Sequence, residues 1–228
     1  LADMGANTSS TMPWDGKTLT KDGAGTLVLT ASNTYTGDTI IKQGMLKAGA
    51  ENTFAASANL SIAQGAMLNM GGYAQSVGGN TRGAVTNRGT IVFNDMGEGK
   101  KGASPMSLTG NVSNAGTLEL DTGDATVGKT FQVQGDWFGD VGSLISLTAA
   151  LAGDDSNTDK VDITGAGTGT TRVKVRNVGG AGGETTADGG ITLITTGSSL
   201  ANAFVLDSPV TAGGYVYKLR QGKKDATG

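Results

Sequence analysis

The 228-residue sequence contains no cysteine and no histidine, and only 3 prolines. Without cysteine there is no disulfide, no thiolate nucleophile and no soft-metal site. Without histidine the commonest general base and metal ligand are missing, and a Ser-His-Asp triad cannot be assembled. Aromatics are scarce at 5%, and charged residues make up 16%, with 17 basic against 20 acidic side chains. That balance forms neither a basic stripe for nucleic acid nor an acidic tail. No apolar run approaches the length of a membrane-spanning helix. The opening LADMGANTSS has neither the basic nor the apolar part of a secretory signal, which leaves a cytosolic chain or a piece of a longer precursor.

What is abundant is glycine, 39 of 228 residues, against a usual share of about 7%. No Gly-X-Y period exists, so collagen is excluded. The glycines punctuate short alternating apolar runs, which points to many tight turns rather than a flexible tract. One such segment, GDATVGKT at 123–130, matches a phosphate-binding loop letter for letter. That loop works only between a strand and a helix, whose N-terminal N–H groups hold the phosphates. Thr117–Asp121 alternates as a strand does, but Phe131–Gly135 alternates too. The segment therefore reads as a Gly-bearing turn between two strands, with no nucleotide bound.

A longer pattern recurs: Gly, any residue, apolar, any residue, apolar or small. It begins at Gly25, Gly44, Gly65, Gly89, Gly116 and Gly142, so its steps run from 19 to 27 residues. Strand partners such as Thr39–Ile41, Leu60–Ile62 and Met106–Leu108 lie between. A period of this size built from short strands is the mark of a solenoid, and it suits a parallel β-helix whose coils bury their apolar faces on one another. An antiparallel sandwich also spaces its strands evenly and is the competing architecture. Residues 50–64 hold at most a short turn of helix, and Ser143–Ala152 is assigned to strand by its place in the repeat.

Beyond about residue 150 the pattern shifts to shorter strands at Lys160–Ile163, Arg172–Val175, Ile191–Ile194 and Tyr215–Leu219, separated by turn-rich segments. These read as hairpins that close the end of the solenoid. Several local motifs have plain explanations. Gly97–Gly102 matches GxGxxG but leads into no helix and reads as a surface loop. Asp155, Asn157 and Asp159 have calcium-loop spacing, yet Lys160 and Ala166 stand where Gly and Glu are needed; a polar turn is favoured. Lys100-Lys101 and Lys223-Lys224 read as solvated loops. The Asn-x-Ser sites at Asn7, Asn59 and Asn111 are given no role. No cofactor or metal is expected. Trp137, a large aromatic, is expected in the core, while Tyr215, Tyr217 and Leu219 alternate onto one face with Phe204 and Leu206 as neighbours.

KDGAGTLVLTASNTYTGDTIIKQGMLKAG, residues 21–49, resembles the passenger-associated transport repeat of bacterial autotransporters, which use type V secretion. GTLEL through GDWFGDVGSLISLTAALAGDDSNTDKVDITG, then VKVRNVGGAGGETTADGGITLITT and AGGYVYKLRQG, resemble the pertactin-like C-terminal end of their passengers. The resemblance implies an all-β, right-handed parallel β-helix with a C-terminal β-hairpin cap. It implies coils over 1–115 and an autochaperone region over 116–228, with Phe131, Trp137, Phe138, Leu144, Asp159, Phe204, Tyr215, Tyr217 and Leu219 as the folding and cap core. It implies a non-enzymatic segment that nucleates and caps β-helix folding during secretion through the protein's own C-terminal β-barrel, with upstream coils of the same chain as its other partner. The family's barrel, and the Trp-bearing strand that usually follows the Tyr-rich one, lie outside this sequence. The implied location is the cell surface or outer membrane of a Gram-negative bacterium, reached through the periplasm, with release after cleavage as a variant. The alternative function is an adhesin surface for a host ligand or for self-association. A β-helix lyase, the third reading, needs clustered Asp, Lys or Arg on one face, and no such cluster is apparent.

The turn reading of GDATVGKT has a direct test. Millimolar ATP should give no heat by calorimetry and no thermal shift. Saturable binding abolished by Lys129→Ala would overturn it.

Overall fold

The computed structural model describes residues 17–54, 56–93, 106–186 and 189–222. Its strands wind into a parallel β-helix with three faces. The first face stacks Leu19–Lys21, Thr39–Ile41, Leu60–Ile62, Ala84–Asn87, Asn111–Asn114 and Trp137–Gly139, then the far half of Lys160–Gly169. The second stacks Thr26–Leu29, Met45–Ala48, Met67–Asn69, Thr90–Val92, Thr117–Glu119, Leu144–Ala150, Thr171–Asn177 and Phe204–Leu206. The third runs through Gln75–Ser76, Met106–Thr109, Thr130–Gln134, the near half of Lys160–Gly169, and Ile194–Ser199. Every pairing along these faces is parallel, so the antiparallel sandwich is excluded.

The core is a set of columns. Parallel stacking puts the same position of each coil directly over the last, at about 4.8 Å. On the second face this aligns Leu27, Leu46, Leu68, Ile91, Leu118, Ile145, Val173 and Leu206. The six from Leu46 to Val173 are fully or almost fully buried. Met106, Phe131, Val161 and Ile194 form a corresponding column on the third face. The coil length along the aliphatic column grows from 19 residues between Leu27 and Leu46 to 33 between Val173 and Leu206.

At the entry to the second-face strands up to Thr171–Asn177 stands one tight corner. It is occupied by Gly25, Gly44, Ala66, Gly89, Gly116, Ser143 and Thr171 in successive coils. A Cβ at Gly116 would lie 2.1 Å from the Gly89 carbonyl oxygen, so the repeated glycine is a space requirement there. Two copies of the sequence repeat carry one extra residue after their glycine. After Gly65 and Gly142 the chain inserts Ala66 and Ser143 before entering the strand. The inward residues are therefore Leu68 and Ile145, not Met67 and Leu144. This corrects the placement of Leu144 in the core: it is half-buried, and Ile145 holds the column position.

The expected series of closing hairpins reduces to one. Lys160–Gly169, Thr171–Asn177 and Ile194–Ser199 continue the parallel coils. The third of these begins at Ile194 rather than Ile191. Among the described residues, Val210–Ala212 with Tyr215–Tyr217 forms the antiparallel hairpin at this end, turning through Gly213 and Gly214, both at positive φ. A second antiparallel contact, Ala149–Ala150 with Asn157–Thr158, folds the polar turn 153–156 back onto its own strand. Among the described residues the one helical turn is a 3-10 turn at Gly79–Thr81, and residues 51–54 form turns before Leu60–Ile62. Gly97–Gly102, Lys100-Lys101, Lys223-Lys224 and Asn7 lie outside the described residues.

The one-residue shift after Gly142 predicts an asymmetry between neighbours. Ile145→Ala should cost about 2–5 kcal/mol by denaturant unfolding, as buried large-to-small changes do. Leu144→Ala should cost less than half as much. Equal losses at the two positions would contradict this register.

Candidate functional site

The GDATVGKT segment is a turn. Gly123 and Gly128 take positive φ, and Thr130 starts a strand directly. The Lys129 side chain is 7% exposed and its ammonium lies 3.7 Å from Asp159 Oδ2 and 3.9 Å from Asp124 Oδ1. No phosphate cradle is formed, because no helix offers its N–H groups. Among the described residues no group of three acidic side chains converges as a metal site. Within the Asp155–Asn157–Asp159 turn, Asp159 is fully buried and its oxygens are already engaged. Oδ1 accepts the Lys129 backbone N–H at 2.9 Å, and Oδ2 accepts the Thr148 N–H at 2.8 Å and the Thr148 hydroxyl at 2.6 Å. Asp159 thus ties three stretches of chain together.

The candidate site is instead the C-terminal core. Phe131 and Trp137 are both 1% exposed. Phe131 meets Phe93 edge to face, with centroids 6.0 Å apart and planes at 76°, a favoured aromatic geometry. Trp137 sits directly over Val112 in the preceding coil and under Gly167 in the next. A side chain at Gly167 would collide with the Phe204 ring, whose Cε2 lies 2.9 Å from where a Cβ would stand. The glycine therefore lets Phe204, itself half-buried, pack against the core on the C-terminal side of the tryptophan.

Two expected core residues are not core. Phe138 is 46% exposed because it follows Trp137 in the strand, and alternation turns it outward. Tyr215 is 45% exposed on the outer side of the hairpin. Tyr215, Tyr217 and Leu219 therefore do not act together as one buried face. Tyr217 is half-buried beside a small cluster of Ala149, Leu151, Val210 and Ala212, with Leu206 against the same cluster. Its hydroxyl accepts the Gly183 N–H at 2.9 Å and donates to the Ala152 carbonyl at 2.8 Å, fastening the hairpin to two earlier loops. Leu219 packs, partly buried, on the main core.

The residues that sequence reasoning missed are polar and buried. Asn87 and Asn114 are fully buried, one above the other, with Ser143 and Thr171 beyond them. The Asn87 amide N–H donates to Asn114 Oδ1 at 2.7 Å, and the Asn114 amide donates to Ser143 Oγ at 2.7 Å. Ser143 and Thr171 hydroxyls share a bond at 3.0 Å, and the Trp137 indole N–H donates to Thr171 Oγ1 at 2.9 Å. A sequence signal existed: Thr86-Asn-Arg-Gly-Thr-Ile91 and Ser113-Asn-Ala-Gly-Thr-Leu118 are near copies. In both, the asparagine is followed two residues later by the corner glycine. Gly89 N–H donates to Asn87 Oδ1, and Asn114 donates to the Gly116 carbonyl.

Outside the core, Arg176 holds the turn after Thr117–Glu119. Its guanidinium donates to Asp121 Oδ2 at 2.7 Å and Oδ1 at 2.6 Å, a bidentate pair, and to the Asp124 carbonyl at 2.6 Å. Arg176 holds the Asp121 carboxyl below its ordinary value, against a smaller opposing effect of burial. Asp124 is lowered by the Thr126 hydroxyl bond. Glu119 is raised, first by burial. A carboxyl depressed in the folded state stabilises it above the unfolded pKa, and that contribution is lost as pH falls through the folded value. Arg176→Met should therefore lower the melting temperature at pH 6 to 7, with the gap from the parent narrowing as pH drops below about 4. A gap that stays constant to pH 2.5 would remove Asp121 as the cause. Glu119 works in the opposite sense, and comparing the two proteins at each pH separates it.

Residues 107–219 match the family model for the autochaperone domain type 1, and residues 19–48 match the passenger-associated-transport-repeat. Among curated relatives, the probable autotransporter YfaL of Escherichia coli K12 is 30% identical over 208 residues, covering 74% of this chain and 16% of YfaL. The uncharacterized protein YdeU of the same strain is 43% identical over 97 residues, covering 42% of the chain and 20% of YdeU. The autotransporter adhesin AIDA-I of Escherichia coli is 34% identical over 102 residues, covering 45% of the chain and 8% of AIDA-I. The chain spans a fifth or less of the length of each of these relatives. A repeat of the passenger type near the start, an autochaperone match over the last coils and a continuous parallel β-helix joining them make one assignment: the chain belongs to the autotransporter passengers, as a β-helical stretch carrying an autochaperone domain of type 1.

Proposed function

We propose that residues from about 116 onward nucleate folding of the passenger β-helix and cap its C-terminal end. The observation that carries this reading is the gradient in strand length. The first coils use three- and four-residue strands at Leu19–Lys21 and Thr26–Leu29. The last coils use seven at Leu144–Ala150, ten at Lys160–Gly169 and seven at Thr171–Asn177. In a solenoid, stability is a sum of coil and neighbour terms, so longer pairings and larger side chains concentrate it locally. Burial of Trp137 alone removes about 200 Å² from water, worth a few kcal/mol. The Val210–Tyr217 hairpin, tied down by the Tyr217 hydroxyl, ends the stack with an antiparallel pair instead of another coil.

As an autotransporter passenger, the protein belongs at the outer membrane and cell surface of a Gram-negative bacterium. Its partners in this reading are the upstream coils of its own chain and its own β-barrel. Once the C-terminal coils are outside, their N-terminal edge offers backbone groups on which the next coil pairs. The role requires no catalysis. An adhesive surface is the second reading, favoured by relatives named as adhesins and by the outward Phe138 and by Val141 and Leu200, all exposed.

Hydrogen exchange read by mass spectrometry tests the gradient. Residues 131–147 and 194–217 should exchange slowest and residues 19–48 fastest. Trp137→Ala should cost about 3–5 kcal/mol and, in the full precursor, reduce folded passenger at the surface while the barrel remains inserted. Phe138→Ala should change stability by less than about 0.5 kcal/mol. Greater protection in the first coils, or normal passenger folding with Trp137→Ala, would defeat the autochaperone role.

A further inference from the structure

We propose that the buried polar column of Asn87, Asn114, Ser143 and Thr171, closed by the Trp137 indole, sets the register in which successive coils join. The need for such a device follows from the apolar columns. Leu27, Leu46, Leu68, Ile91, Leu118 and Ile145 are nearly interchangeable in size and shape. A coil displaced by two residues keeps its inward side chains inward, because side-chain direction alternates with period two. Aliphatic stacking therefore discriminates poorly between the native pairing and a two-residue slip. The loops do not discriminate either, since coil length varies from 19 residues between Leu27 and Leu46 to 33 between Val173 and Leu206.

The polar column does discriminate. Each amide in it is fully committed. Asn87 donates to Asn114 Oδ1 and to the Thr117 carbonyl, and accepts from Gly89 N–H. Asn114 donates to Ser143 Oγ and to the Gly116 carbonyl, and accepts from Asn87. Ser143 and Thr171 occupy the corner that is glycine at Gly89 and Gly116, so the hydroxyls appear only in the coils beside Trp137. A slip of two residues moves a strand by about 7 Å, far beyond hydrogen-bond reach. A slip between the coils of Asn87 and Asn114 would leave both buried amides short of a partner, and a slip between the coils of Trp137 and Thr171 would do the same to the indole N–H. Buried polar groups that can be satisfied in one arrangement only are a known means of selecting a register. Within the column, Asn87 donates to Asn114 in the next coil, and Asn114 to Ser143 in the one after. Each coil is thus matched to the one C-terminal to it.

Because the chain has no cysteine, register can be read by crosslinking. Thr86 and Ser113 are directly paired outward residues, and Ala84 is offset by two on the same strand. Thr86→Cys with Ser113→Cys reports the native register, since adjacent strands bring Cα atoms within disulfide range. Ala84→Cys with Ser113→Cys reports the slip, because in the native register those Cα atoms stand about 8 Å apart, too far to bridge. The full chain would be unfolded, refolded under oxidising conditions and scored by peptide mass. With the polar column intact, only the native pair should close. With Asn87→Leu and Asn114→Leu together, the offset pair should close in a several-fold larger share of molecules. Should that double variant fail to fold, Asn114→Ser, which removes the amide from the column while keeping a small polar side chain, is scored the same way. Ile91→Ala is the control for mere destabilisation and should leave the offset pair open. The proposal is overturned if the variants of the column close only the native pair, or if Ile91→Ala opens the offset register as much as they do.

Discussion

Backbone pairing between coils is the constraint on which the rest of the structure depends. Every strand on the three faces must satisfy its N–H and C=O groups from the coil above and the coil below, because a buried backbone group without a partner is costly. That requirement fixes the spacing, and the spacing dictates that like positions stack on like. Columns of leucine, isoleucine and valine follow on the second face, and Met106, Phe131, Val161 and Ile194 on the third. The corner glycines follow as well, since at Gly44, Gly89 and Gly116 the preceding coil's carbonyl occupies the place of a Cβ.

Columns make polar residues inside the coil either impossible or cooperative. An isolated buried asparagine would have to find several partners within one coil. Stacked asparagines supply one another, and Asn87 and Asn114 do so without any opening to solvent. The same economy operates near the first coils, where Tyr35, Thr39 and Ser57 hydroxyls bond in series and Gln75 Oε1 accepts from the Thr53 N–H and hydroxyl. At the C-terminal end the network acquires an aromatic member. The Trp137 indole needs an acceptor, and Thr171 supplies it at the corner that Gly89 and Gly116 hold in earlier coils. Trp137, the largest fully buried side chain, and its polar partners Ser143 and Thr171 lie within the stretch matched by the autochaperone family.

The turns complete the division of labour. Asp159 and Arg176 each close a loop against the coil that follows or precedes it. Asp159 gathers the Lys129 and Thr148 N–H groups, and Arg176 reaches back to Asp121 and Asp124. A segment resembling a nucleotide loop is held in place by these charges, and its lysine is held against carboxylates.

Much of this was readable from residues alone. Alternation in Gly116-Thr-Leu-Glu-Leu120 and its companions specified short strands, and their recurrence specified a coil. Absence of histidine and cysteine ruled out a Ser-His-Asp triad and thiolate chemistry within this sequence. The order of motifs identified the family on both sides of residue 100. What the sequence could not decide was phase and partnership. A glycine at 142 looks the same whether the strand starts one or two residues later, and only stacking on Leu118 selects Ile145 over Leu144. Alternation makes Trp137 and Phe138 face opposite ways but does not say which is inward; the column above Val112 does. The strands at 160–177 carry period-two patterns compatible with hairpins, and only their neighbours make them parallel. Asn87 and Asn114 read singly are turn residues. They become core residues because coil stacking brings them within 2.7 Å across 27 positions of sequence, a contact no local pattern encodes.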